Sequence, residues 1–155
     1  MPVYRLKKFL DDNNIKYISI FHSHAYTAQE VAASAHISGR ELAKTVMVKI
    51  EGKMAMAVLS ASDKVDFSLI QKAAGASKVE LASEHEFTDL FPGCQIGAIP
   101  PFGNLYEMQV IVDAKLTEET GVVFNAGSYT ELIMLHYEDY KRLVKPCVAR
   151  ISSNN

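Results

Sequence analysis

Several absences narrow this chain's chemistry before any motif is weighed. Its 155 residues hold two cysteines, Cys94 and Cys147, far apart and without CxxC spacing. The opening MPVYRLKKFL carries charges inside its only early apolar stretch, which is not the pattern of an export signal. Reduced thiols in a cytoplasmic protein are therefore expected, with both cysteines as small core residues. No apolar run approaches the roughly eighteen residues of a membrane span, so no membrane partner is expected. There is no basic excess either: 16 Lys and Arg stand against 18 Asp and Glu, net charge −2. A protein that grips polynucleotide mainly by counterion release carries a basic face, so affinity for nucleic acid should be modest and salt-sensitive. GxSxG, GxxxxGK[ST] and GxGxxG are all missing, which removes the usual signatures of a serine nucleophile and of phosphate cradles. His22-Ser23-His24 pairs two imidazoles, but His36, His85 and His136 do not stand at zinc-motif spacing. Neither a metal nor any other cofactor is expected.

What is present reads as an ordinary globular chain, 48% apolar and 22% charged. Length favours a single domain over 1–151 with a polar tail at 152–155. Apolar residues at helical spacing predict a helix over 3–13, and KYISIF (16–21) alternates like a strand. Thr27-Ala-Gln-Glu30 is a capping box opening a helix over 27–36. KTVMVKI (44–50) and MAMAVLS (54–60), joined through Glu51-Gly52-Lys53, predict a hairpin. Asp66 caps FSLIQKAAG, which stops at Gly75, and Ser83-Glu-His-Glu86 opens another helix that must end before Pro92. Lys78–Glu80, QVIVDA (109–114), GVVFNA (121–126), ELIMLH (131–136) and CVARI (147–151) are strand candidates, and YEDYKRLV (137–144) a helix. Irregular alternation with at least one hairpin predicts an α+β fold with a mixed sheet.

Two features carry chemistry. Lys44 opens an otherwise apolar strand, followed by Thr45, and places a cation where a cleft mouth would hold a phosphate or orient a polar substrate; a solvated strand start is the plainer alternative. The other is GAIPPFGNLYEM (97–108). Gly97 permits close backbone approach, and Pro100 and Pro101 fix the chain that follows. Such a loop can aim backbone N–H groups at a substrate oxygen without any nucleophile; an ordinary rigid turn is the alternative here. The carboxylates need no chemistry. Asp63 and Asp66 flank a helix start, and Glu138 and Asp139 occupy a first helical turn that favours negative charge.

Taken together, Ala25-Tyr26-Thr27-Ala28 with Glu30, Lys44-Thr45, Gly97-x-x-x-Pro101 and Phe124-Asn125-Ala126-Gly127-Ser128 resemble the YbaK/prolyl-tRNA synthetase editing-domain family across nearly the whole chain. The resemblance implies a central mixed, mostly antiparallel β-sheet or barrel surrounded by helices. It also implies a freestanding enzyme that hydrolyses mischarged tRNA in trans. Lys44 would contact the terminal adenosine region or position the substrate. The loop from Gly97 through Ala98, Ile99 and Pro100 to Pro101 would place N–H groups by the ester carbonyl. Water attack would be assisted by the terminal ribose hydroxyl. Phe102 would line a small side-chain pocket, Thr45, Ala126, Gly127 and Ser128 would border the substrate, and His24 and Tyr26 would form the rim.

The branch that removes alanine commonly has asparagine after the lysine and histidine two residues after the Ala-Gly turn. This chain has Thr45 and Tyr129 there, so alanine specificity does not simply transfer. Exclusion by size still favours a small amino acid: alanine, cysteine, serine or threonine. The expected partners are the acceptor end of mischarged tRNA and an aminoacyl-tRNA synthetase that helps hold it. The rival readings are a non-catalytic adaptor of the same fold, binding tRNA or a synthetase, and a hydrolase of small activated amino-acid esters.

Overall fold

A computed structural model describes residues 2–23, 27–34, 36–37 and 40–153. Its most regular unit is the hairpin of β1 (Ala43–Ile50) and β2 (Lys53–Ser60), with the register running from Ala43↔Ser60 to Ile50↔Lys53. Glu51 and Gly52 make the turn at φ of +50° and +80°. Two successive positive φ values match the twist of the flanking strands, so this short loop closes the hairpin without splaying it. β3 (Val79–Leu81) adds antiparallel to β1, while β4 (Gln109–Asp113) and β5 (Cys147–Ala149) add in parallel beyond β2. A second, antiparallel sheet has β6 (Tyr17–Phe21) at one edge, β7 (Glu131–His136) in the centre and β8 (Gly121–Asn125) at the other edge. A parallel bridge, Leu42↔Val123, joins the two sheets.

The large sheet is buried on both faces, which is why MAMAVL reads as an unbroken apolar run rather than an alternation. On one face Met47, Met56, Val58, Val110 and Val112 meet Val122, Phe124, Ile133 and Leu135 of the small sheet. Leu6 and Leu10 of helix α1 (Pro2–Asp12) and Tyr137 and Tyr140 of helix α2 (Tyr137–Val144) close that core. On the other face Val48, Ala55, Ala57 and Ile111 pack on Ile70 of helix α3 (Phe67–Ala74). Asp66 starts α3 by accepting the Leu69 N–H at 3.1 Å, and Gly75 ends it in the left-handed conformation. A third cluster lies outside the small sheet: Leu42, Val123 and Leu132, with Ile20 and with Val31 of helix α4 (Ala28–Ser34). Both expected capping boxes form. Thr27 and Glu30 exchange bonds of 3.0 and 3.1 Å, and Ser83 pairs with Glu86 at the start of the short helix Glu84–Phe87.

Three expectations change. Ser152 is not tail: it is 1% exposed, its hydroxyl donates to buried Asp113 at 2.8 Å, and Ser152–Ser153 pair with Lys64–Val65. Cys147 is exposed on the edge strand β5 rather than in the core. Asp63 does not serve the helix start; it lies 3.4 Å from Lys115. The mixed, mostly antiparallel architecture otherwise stands, and no helix among the described residues is long and apolar enough to cross a membrane.

Candidate active site

The stretch from Gly97 to Met108 is held by short-range structure at both ends. Ile96–Ala98 and Gly103–Tyr106 are 3₁₀ turns, and between them Pro100, Pro101 and Phe102 are buried. Phe102 departs from its expected place in a side-chain pocket. It has no exposed surface, and its ring is wedged among Phe9, Phe124 and Tyr140 at centroid distances of 5.3–6.4 Å. An apolar ring in a loop goes to whichever side supplies partners, and here three aromatics stand behind it. Tyr140 also donates its hydroxyl to the Pro101 carbonyl at 2.7 Å. Gly103 is small for packing reasons, since an added Cβ would meet the Met108 carbonyl at 2.7 Å. Core contacts thus hold the loop rigid from behind.

Its front is joined to the turn after β8. Gln95 N–H donates to the Gly127 carbonyl at 2.9 Å, and Gly127 N–H returns a bond to the Ala98 carbonyl at 2.8 Å. Gly127 takes φ +96°, a conformation that favours glycine. The Gln95 side chain accepts the Tyr129 N–H at 2.6 Å, and the tyrosine ring lies over Gly97. A Cβ on Gly97 would fall 2.1 Å from the Tyr129 hydroxyl, so the residue is glycine because a side chain already fills the space. Within the loop, Ala98 N–H goes to Gln95 and Phe102 N–H to Pro100, and the prolines have none. Gly97 sits at the start of its turn, where N–H groups have no partner inside the helix.

β1 packs against this turn and against β8. Lys44 pairs with Leu59 across the hairpin, and strand alternation puts it on the face of Leu42 and Val46, away from Thr45. Among the described residues three lysines are half-buried. Lys7 pairs with Glu131 at 2.7 Å, and Lys49 with Glu86 at 2.6 Å and Glu80 at 3.5 Å. Lys44 has no carboxylate partner among the described residues. A partly desolvated cation left without counter-charge is costly as structure and suited to an anionic ligand.

Of the residues expected at the site, Gly97, Ala98, Gly127 and Ser128 come together around the stapled turns, and the strand that carries Lys44 packs against them. Ala98, Ile99 and Ala126 are at most 5% exposed, so they offer backbone rather than side chains. Thr45 takes the opposite face, and His24 and Tyr26 lie outside the described residues. Burial pushes the Cys94 thiol up to about 11, the reverse of an activated nucleophile. An apolar cavity of about 440 Å³ between Ile18, Glu41, Met134 and His136 includes none of the expected residues. Burial, and secondarily the nearby Glu119, raises the Glu41 carboxyl there.

Residues 22–143 match the family described as aminoacyl-tRNA editing domain. The chain belongs to that family. Among proteins similar to this editing domain is the multifunctional Ser/Thr-tRNA deacylase ProXp-y of Escherichia coli K12. It is 32% identical over 109 residues, covering 67% of this chain and 65% of the relative. The aligned region thus falls just short of two thirds of that protein. The prolyl-tRNA editing protein ProX of Acetoanaerobium sticklandii is 27% identical over 88% of this chain and 86% of its own length. The crystal structure of a candidate trans-editing enzyme for prolyl-tRNA synthetase shares the fold, with a TM-score of 0.83 at 18% identity over 99% of this chain and 98% of that one.

The editing domain also contains polar residues that their local sequence did not mark. His22 Nε2 and Asn125 Oδ1 are buried atoms with no hydrogen-bond partner among the described residues. Gln95, which holds Tyr129, carries no sequence signal at all.

Proposed function

We propose that this protein is a trans-acting aminoacyl-tRNA deacylase that removes a small amino acid, among alanine, cysteine, serine and threonine, from mischarged tRNA. The observation that carries the reading is Lys44: a half-buried cation with no carboxylate partner among the described residues, on a strand that packs against a Gly97 turn stapled to the turn at Gly127. An aminoacyl ester is an activated bond, so positioning and charge stabilisation suffice for its hydrolysis.

In this mechanism Lys44 holds the anionic backbone at the tRNA's 3′ end. Gly97 N–H faces the ester carbonyl and steadies the negative charge that gathers there. Water, assisted by the neighbouring ribose hydroxyl, adds to the carbonyl carbon. The bond from that carbon to the ribose oxygen then breaks, the ribose oxygen takes the proton released by the water, and free amino acid leaves. No protein nucleophile is required, in keeping with the raised Cys94 thiol. Tyr129, seated on Gly97, bounds the space for the amino-acid side chain. The name of the Escherichia coli relative favours serine and threonine within the small set.

A net charge of −2 is poor equipment for holding tRNA unaided. Transient capture, with a synthetase supplying the grip, follows from it; nanomolar binding of free tRNA at physiological salt would count against this. The function is tested with wild-type protein and tRNAs charged with alanine, cysteine, serine, threonine and proline. Rapid release from at least one mischarged tRNA is expected. Release from none, with tRNA or a synthetase still bound, would replace the enzyme with an adaptor.

A further inference from the structure

His22 continues the β6 ladder by donating its N–H to the Thr130 carbonyl at 2.9 Å. It therefore shares the outer face of the small sheet with Ile20, two residues before it. Ile20 pairs with Leu132, and Leu132 with Asn125, so these three side chains share that face. On the far side of β8 the parallel bridge sets Leu42 beside Val123. Two residues further along each strand, on the same face, come Lys44 and Asn125. His22, Asn125 and Lys44 thus stand at one end of one face, and each has a polar group without a partner among the described residues.

The chemistry of the two uncharged groups is specific. His22 Nδ1 lies 3.1 Å from the Ser23 carbonyl. A carbonyl only accepts, so Nδ1 carries the hydrogen, and Nε2 of the neutral ring is a bare lone pair. Asn125 Oδ1 is likewise an acceptor. Buried acceptors of this kind are normally satisfied, and two on one face call for donors from outside the protein. A cationic donor is disfavoured: Lys44 already supplies positive charge there, and neither acceptor is a carboxylate. Neutral O–H donors fit.

Resting on the deacylase reading for the substrate, we propose that His22 and Asn125 are further substrate-contacting residues. His22 Nε2 accepts the hydrogen of the free hydroxyl on the terminal ribose, turning that oxygen's lone pair toward the attacking water. Asn125 Oδ1 accepts a hydrogen from the same water. No proton leaves for the protein in this step; the two residues orient the donors.

The test compares wild type, His22→Ala, His22→Gln and Asn125→Ala on mischarged tRNA with a normal or a deoxy terminal adenosine lacking the free hydroxyl. On the normal substrate His22→Ala should lower kcat about 100-fold with little change in KM, and His22→Gln, which keeps an acceptor, should recover part of it. On the deoxy substrate, already slow, His22→Ala should change nothing further, whereas Asn125→Ala should lower the rate on both. An equal His22→Ala loss on both substrates, or none on either, overturns the assignment. The same pair of ligands is also made as amide-linked seryl-adenosine, which cannot be hydrolysed, and the His22 Nε2 resonance is followed by NMR. A shift that requires the hydroxyl supports the contact even if no mischarged tRNA is turned over, in which case the deacylase reading alone fails. No difference between the two analogues refutes the contact whatever the activity.

Discussion

One strand carries two lysines with opposite fates. Near the end of β1, Lys49 is held by Glu86 at 2.6 Å and Glu80 at 3.5 Å, and Glu86 also completes the capping box with Ser83. Near its start Lys44, half-buried like Lys49, is given no carboxylate among the described residues. Five residues apart on one strand, one cation is paired and the other meets no carboxylate among the described residues. Where a charge serves stability, the chain provides its partner. On the proposed reading the other cation is left for a ligand, with stability given up for function.

The comparison breaks if the two lysines respond alike to substitution. The largest expected contrast comes from Lys44→Met and Lys49→Met. Lys44→Met should melt at or above the wild-type temperature while losing deacylation by about 100-fold or more. Lys49→Met should keep its activity and melt lower, since it leaves two carboxylates facing each other. Thermal melts alongside single-turnover assays read both.

Gly97→Ala sharpens the contrast at the ligand-facing end. Its Cβ would meet the Tyr129 hydroxyl at 2.1 Å, so the ring must leave its seat. Activity should fall about tenfold or more, because misplacement of about an ångström near reacting atoms is that costly. Combining it with Tyr129→Ala removes the clash and should restore the melting temperature, with activity recovering only in part if the ring bounds the substrate.

The smallest effect lies at the structural end and depends on pH. The bond from Lys49, then those from Ser83, hold the Glu86 carboxyl down at about 2. A depressed carboxylate contributes stability that is fully present above its unfolded value, about 4.3, and lost as pH falls toward 2. The gap in melting temperature between wild type and Glu86→Gln should therefore be widest above about pH 5 and narrow on acidification. A gap that widens in acid would show that Glu86 is not held by these bonds.

Local signals survived the passage from sequence to structure. Thr27 with Glu30, Ser83 with Glu86, Asp66 with Gly75 and the Glu51-Gly52 hairpin each depend on neighbours a few residues away. The parallel pairing of β2, β4 and β5 and the burial of Ser152 on Asp113 depend on residues tens of positions apart, and no local pattern announces them. The site divides the same way. Lys44 and Gly97 stood out as a cation in an apolar strand and a glycine in a proline-rich loop. Phe102 looked like a pocket wall because nothing nearby revealed the three rings behind it. His22 looked like half of a metal pair or a surface histidine. Its bare Nε2 follows from a ladder contact to Thr130 and a carbonyl at Nδ1, neither visible from spacing.

The most direct test of the central claim is kcat/KM for Lys44→Ala and Lys49→Ala, measured side by side with wild type on the mischarged tRNA that wild type hydrolyses fastest. The account predicts a fall of about 100-fold or more for Lys44→Ala and less than about twofold for Lys49→Ala. Equal losses, or an active Lys44→Ala, would contradict it, because the bare lysine would then be no more than an unpaired surface charge.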